Sequence, residues 1–244
     1  MWFEHFDEPI PAKSHMPKAL LTAVASPPVR LLLKDQAYQK LKSLIQTGDL
    51  APESMLSERH LTERLGMSKT PIRAALENLE TQGLVTVSPQ KGIIVRELSA
   101  REAAELFDVR AAVEPLVVSQ LARSSLSSSQ RAELKANLRE QHRAAESGDA
   151  LAATQLDIAF HRLLARQVEN REIMVWLERC FDRLHRSVLR VNRLAPGRLP
   201  KSCDEHEAIA AAIIEGRQNE AASLMGQHLT FGRQFLLVGD SITA

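Results

Sequence analysis

Four side chains in the second half of the chain have the types and spacing of metal ligands. Asp157 and His161 stand four residues apart, so on a helix they share a face. His161 lies on a stripe with Phe160, Leu164 and Val168, which turns it toward a core. His206 shares a stripe with Ile209, Ala210 and Ile213, and His228 shares one with Ala221, Leu224, Met225 and Phe235. Three imidazoles and one carboxylate suit zinc, nickel or another divalent transition metal, with open positions for water or a ligand. A lone inward histidine is more often a hydrogen-bonded core residue, so periodicity leaves both readings open. His5, His15, His60, His142 and His185 have no such company and read as surface or packing residues. Arg110 lies on a stripe with Ala103, Leu106, Val113 and Val117, and a guanidinium facing a core must find an anion. Glu114, one turn on, would supply it as an internal salt bridge. A ligand carboxylate held bidentately would supply it as function.

A second group of residues suits nucleic acid. Lys69 and Arg73 share a helix face opposite the apolar stripe of Ile72, Leu76 and Leu79. Arg73 suits guanine or a phosphate, and Ser68 and Thr70 can donate to phosphates. Arg59 on the preceding helix is placed for the DNA backbone. Lys91 and Gly92 at a hairpin tip let the main chain approach a groove closely. The plainer reading is a solvated face, with Arg73 paired to Glu77. Residues 39–106 contain no Phe, Tyr or Trp, which disfavours stacking on single strands and favours duplex DNA.

The elements that must position these residues follow from periodicity. Tyr38, Leu41, Leu44 and Ile45 mark a helix stopped by Gly48. Ser57 caps a second helix ended by Gly66, and Ser68 caps a third that tolerates Pro71 in its first turn and stops at Gly83. Residues 84–87, a turn at 88–92 and residues 93–95 read as strand, turn, strand. Two short helices followed by a hairpin form a winged helix-turn-helix pattern, whose second helix fits the major groove. From residue 100 the period is 3.6 throughout, with helices at about 100–124, 127–147, 149–169, 171–194, 203–215 and 218–237. The expected fold is mainly α. A winged helix-turn-helix domain at 30–97 precedes an all-helical antiparallel bundle of about six helices at 98–240.

Composition bounds the function. The chain has 244 residues, 31 Lys+Arg and 30 Asp+Glu, so it is no DNA-coating protein. No apolar run reaches the ~18 residues a membrane helix needs. Cys180 and Cys203 form no C-x-x-C, so neither a disulfide framework nor a thiolate zinc site is expected, and a cytoplasmic setting is. Residues 19–25 loosely resemble a signal sequence, but the stretch is short and follows Glu4, Asp7 and Glu8. Residues 1–29 are therefore expected to be a flexible, Pro-rich extension.

The run Leu56-Ser57-Glu58-Arg59-His60-Leu61, then Leu65-Gly66-Met67-Ser68-Lys69-Thr70-Pro71-Ile72-Arg73, then Gln82-Gly83-Leu84-Val85 and Lys91-Gly92, resembles the N-terminal domain of GntR-family bacterial regulators. Leu106-Phe107-Asp108-Val109-Arg110, Asp157-Ile158-Ala159-Phe160-His161, Glu205-His206-Glu207 and Gln227-His228-Leu229 resemble the FCD ligand-binding domain of the FadR subgroup, nearer its VanR-type branch. The resemblance implies DNA contacts at Arg59, Lys69, Thr70, Arg73 and Gly92. It implies a metal held by Asp157, His161, His206 and His228, and a small organic-acid effector at Arg110. It also implies a homodimer on a pseudo-palindromic operator, acting as a repressor and not as an enzyme. Two departures stand out: Glu53 replaces a usual Gly, and Lys69 replaces the commoner Arg, losing the planar fork. Other readings of the same residues are a metal-responsive regulator, a metalloenzyme acting on a small acid, and a purely structural metal.

Overall fold

The computed structural model describes residues 32–88 and 92–242; the expectations for the N-terminal extension and for Lys91 lie outside these residues. The first helix, α1 (Leu33–Thr47), buries Ala37, Leu41 and Ile45 and stops at Gly48 in the left-handed region. A two-residue strand β1 (Met55–Leu56) leads to α2 (Glu58–Leu65), where the Ser57 side chain accepts from the His60 amide. Gly66 turns the chain into α3 (Lys69–Thr81). Strands β2 (Val85–Ser88) and β3 (Gly92–Val95) follow. The sheet order is β1-β3-β2, antiparallel, with Leu56 opposite Ile93 and Val85 opposite Val95. The sequence reading had no β1; two residues are too short to show an alternating pattern. Leu41, Ile45, Leu61, Ile72, Leu79, Val85 and Val95 close this small core.

The second half is α4 (Ala100–Ser124), α5 (Ser128–Ser147), α6 (Ala150–Gln167), α7 (Arg171–Leu194), α8 (Arg198–Ile214) and α9 (Gln218–Ile242). Capping is written into the sequence: Ser99 with Glu102 and Ser127 with Gln130 form reciprocal boxes. Asp149 and Asn170 cap α6 and α7. Helix α8 begins at Arg198, ahead of the expected start at 203, because Pro200 falls in the first turn, where its missing amide costs nothing. Pro115 lies inside α4, where the sequence reading had no break; its ring removes one backbone hydrogen bond directly after Glu114. Helix α4 packs along α9, and a Cβ on Gly232 would sit 2.8 Å from the Phe107 ring, so a side chain there would force that ring to shift.

Helix α1 of the small domain rests on α7 of the bundle. Lys42 Nζ reaches Asp182 Oδ2 at 2.5 Å, and Arg162 holds both Glu178 (2.8 Å) and Asp182 (3.3 Å). Arg186 bridges to Glu97. No helix among the described residues is long and apolar enough to cross a membrane.

Glu53 has φ 58, a left-handed conformation in which a Gly would be unstrained. Gly92 carries a sharper constraint: its φ is +80, and an added Cβ would lie 2.9 Å from the Leu56 carbonyl oxygen in β1. Gly66 has φ +63 and open space around it. Gly66→Ala should therefore cost only the conformational penalty of about 1–2 kcal/mol. Gly92→Ala should cost clearly more and loosen the sheet, as urea unfolding of the two variants would show.

Candidate functional site

Five of the expected DNA residues lie on α2, on α3 or in the turn between them, while Gly92 lies in β3. Arg59, Ser68, Lys69, Thr70 and Arg73 are all exposed, while Pro71, Ile72, Ala75 and Leu76 of the same helix are buried. Ser68 occupies the cap position of α3, but its side chain makes no capping hydrogen bond, which corrects the expectation of a side-chain cap. The hydroxyl and the positive helix end are therefore both available to an anion. Arg73 pairs with Glu58 at 2.8 Å, not with Glu77, because α2 crosses beside the start of α3. This pair holds the Glu58 carboxyl below its usual range. Arg59 pairs with Glu63 at 2.8 Å. Exposed pairs of this kind are weak and exchange readily for phosphate or base contacts.

The four expected metal residues come together from three helices. Asp157 and His161 project from α6, His206 from α8 and His228 from α9, and one ligand atom from each lies within 4.8 Å of all the others. His206 Nε2 is 3.2 Å from His228 Nε2 and 3.6 Å from Asp157 Oδ1. Two donors bound at ~2.1 Å to one tetrahedral ion stand ~3.4 Å apart, so these separations fit a shared ion. His161 and His206 are essentially fully buried, and Phe160 stacks on the His206 ring at 4.2 Å.

Residues that the sequence reading did not assign hold these imidazoles in place. His161 Nδ1 donates to Glu114 Oε2 (2.5 Å), His206 Nδ1 to Gln141 Oε1 (2.7 Å) and His228 Nδ1 to Glu205 Oε2 (2.6 Å). Each acceptor fixes the Nδ1–H tautomer and leaves the Nε2 lone pair for the interior. His206 and His228 then present lone pairs to each other at 3.2 Å, which only a shared cation or proton relieves. His161 Nε2 is buried with no hydrogen-bond partner among the described residues. The donor set and its orphaned nitrogen fit a divalent ion.

Arg110 is buried, and Glu114 supplies the anion as an internal salt bridge. Its Nε donates to Glu114 Oε1 at 2.5 Å, while Nη2 is buried without a partner. Burial alone would raise the Glu114 pKa, but Arg110 and His161 outweigh it and hold the carboxyl at about 2. Burial pushes His161 down despite Glu114, and pushes His206 well down with help from the neighbouring imidazoles. A cavity of about 60 Å³ opens beside the cluster, lined by Arg110, Asp157 and His228 with Phe107, Val191 and Asn192. A larger one, about 540 Å³, lies where α1 meets the bundle, between Lys42, Arg162 and Asp182. There His185 is buried against the backbone of Gln46, with its pKa lowered to about 4 by burial and by Arg162 and Lys42.

Glu114 was legible as a partner of Arg110, but not as the orienter of His161. Glu205 is adjacent to His206 in sequence yet orients His228 on another helix, and no spacing rule reveals such a cross-helix pair.

Comparison with known proteins bears on both halves. Residues 33–95 match the family described as bacterial regulatory proteins, gntR family, and residues 105–231 match the FCD domain. The HTH-type transcriptional repressor GlaR of Escherichia coli (strain K12) is 31% identical over 199 residues, covering 79% of this chain and 90% of that protein. The E. coli McbR/YncC structure superposes with a TM-score of 0.77 at 23% identity, covering 86% of this chain and 99% of that one. A GntR transcriptional regulator from Rhodococcus sp. RHA1 gives 0.73 at 22% identity, covering 84% and 97%.

The lowered pKa values of His161 and His185 fix the sign of a pH effect. Below the unfolded-chain value near 6.5, the unfolded state takes up protons that the folded state refuses. Stability of the metal-free protein should therefore fall as pH drops, by up to about 1.4 kcal/mol per pH unit for each such histidine. Urea unfolding with chelator at about pH 7 and about pH 5.5 checks this; equal stabilities would show the imidazoles are not held neutral.

Proposed function

Because the chain belongs to the GntR family of bacterial regulatory proteins, with an FCD domain in its second half, we propose that it is a homodimeric repressor whose grip on a pseudo-palindromic operator is set by a small carboxylate bound beside a divalent metal. The family and its relatives are DNA-binding transcriptional regulators and not enzymes. The names of two E. coli relatives, the repressors GlaR and RspR, support repression. The observation that carries the effector reading is the orientation of the cluster. Three imidazoles are locked with Nε2 inward, and an arginine with a spare nitrogen lines the adjoining cavity.

Asp157, His161, His206 and His228 would hold the ion, zinc or nickel by donor type. The bound ion would supply a fixed positive charge and an open position for a carboxylate oxygen. Arg110 Nη2 would take the other oxygen of the same carboxylate. On the DNA side, Arg73 and Lys69 would read base edges, while Arg59, Ser68, Thr70, Lys91 and Gly92 would set the register on the phosphates.

Helix α7 links the two functions. Val188, Val191 and Asn192 line the small cavity, and Asp182, His185 and Arg186 of the same helix engage the DNA-binding domain. An acid that binds one setting of α7 more tightly shifts the population of operator-competent dimers by that difference in affinity. Helix α4, which carries Arg110 and directly follows the wing in sequence, offers a second route beside α7. The small cavity also favours a second reading, in which the ion itself is the signal.

Duplexes selected from a random library by the metal-loaded protein, followed by fluorescence anisotropy, test the proposal. Arg73→Ala should weaken the selected site by about 10- to 100-fold, from the worth of one bidentate base contact. Arg110→Ala should keep operator affinity and lose release by small acids. Release by chelator alone, with no response to any acid, would move the function to the metal-sensing reading. Unchanged operator affinity in both Arg73→Ala and Lys69→Ala would overturn the assignment of the reading face.

A further inference from the structure

Arg198 opens α8, in the stretch the sequence reading took for a loop, and it repeats the arrangement around Arg110 on another side of the same cavity. Its side chain is only 10% exposed, and Nη2 donates to Glu205 Oε2 at 2.5 Å. Glu205 in turn accepts from His228 Nδ1. Arg110, Glu114 and His161 form the matching chain. In both chains the arginine keeps one buried nitrogen without a partner among the described residues, Nη2 of Arg110 and Nη1 of Arg198. Both arginines line the cavity that also exposes Asp157 and His228. The Arg198 guanidinium is held over the Phe231 ring, 4.2 Å from its centroid, so an aromatic face as well as Glu205 fixes its position.

A buried donor left unmade is costly, and two of them on arginines that line one small cavity point to a ligand with two separate acceptors. Charge limits what those acceptors are. Two guanidinium charges and a divalent ion against Glu114, Glu205 and Asp157 leave an excess of one positive charge. One carboxylate satisfies it, and a second would restore an unbalanced charge in a buried site. The cavity of about 60 Å³ admits only a small molecule in this conformation. Resting on the effector reading above, we propose that Arg198 is a second effector-binding residue, which donates to a neutral hydroxyl or carbonyl oxygen of a small monocarboxylic acid and transmits its presence to the metal through Glu205 and His228. The ligand class is thus a short hydroxy- or oxo-acid. Because the same carboxylate orients His228 and anchors Arg198, binding of acid and metal strengthen each other reciprocally.

The test uses full-length protein stripped of metal and loaded with Co²⁺, with acetate, glycolate and malonate as probes. Acid binding is read from the visible cobalt spectrum, and cobalt affinity from competition with a chromophoric chelator. Wild type should bind glycolate about tenfold more tightly than acetate, the worth of one hydrogen bond from a charged donor, and should bind malonate more weakly than glycolate. Arg198→Gln should still take up cobalt but bring glycolate close to acetate and abolish the glycolate-driven gain in cobalt affinity. Arg198→Lys, which keeps the charge, should recover part of the preference. Arg110→Gln should weaken all three acids together. A glycolate preference that persists unchanged in Arg198→Gln overturns the role of Arg198 while leaving the effector reading intact, since glycolate would then owe its advantage to the metal alone. A cobalt spectrum in wild type that responds to no acid overturns both.

Discussion

Two imidazole nitrogens 3.2 Å apart, each with its lone pair turned inward, cannot share a dry core without a positive charge between them. Much of the bundle can be understood as the machinery that creates this condition. Helix α6 supplies Asp157 and His161 one turn apart, and α8 and α9 each supply one more imidazole. Glu114, Gln141 and Glu205 come from α4, α5 and α8 to hold the Nδ1 atoms. Five of the six bundle helices therefore have a residue in or directly behind the cluster. An ion bound there ties those helices together. Such an ion would bear on the packing of the whole domain as well as on chemistry.

The same economy governs communication between the halves. Helix α7 gives no ligand, but Phe181 packs under Arg110 and near His161, while Asp182 beside it takes Lys42 from α1. Adjacent residues of one helix thus face the bundle core and the DNA-binding domain. The junction is polar and cavity-bearing, not a packed apolar seam. The part-exposed Arg162–Glu178 and Arg186–Glu97 pairs at this junction can rearrange more cheaply than the largely buried Lys42–Asp182 pair. Pro115, interrupting α4 immediately after Glu114, gives a second place where a helix bearing a site residue departs from ideal geometry.

How much of this is legible in the residue string depends on the range of each interaction. Helix periods, caps and stops are local, so α1 to α7 and α9 follow from spacing, with Ser57, Ser99, Ser127, Asp149 and Asn170 marking starts. The inward stripes bring His161, His206 and His228 to a common core because each rests on a 3.6-residue period. Strand β1 escapes because two residues carry no period, and the start of α8 escapes because Pro196 and Pro200 resemble a loop when one of them is a first-turn residue. Glu205, Gln141 and Arg198 act across helices, where partners depend on the rotation of each helix about its axis. The Arg73–Glu58 pair is missed for the same reason. Charge illustrates the point: residues 1–97 carry 12 Lys+Arg and 11 Asp+Glu, so only position on α2 and α3 separates a DNA-reading face from an ordinary neutral surface.

On the reading proposed above, the buried histidine cluster holds one divalent ion per chain. Elemental analysis of the purified protein, repeated after chelation and reloading, measures it most directly. The expected result is one zinc or nickel ion per chain, lost in His206→Ala and retained in His60→Ala, whose imidazole is exposed on α2. A chain that binds no stoichiometric metal after reloading, or one whose metal survives His206→Ala unchanged, would contradict it.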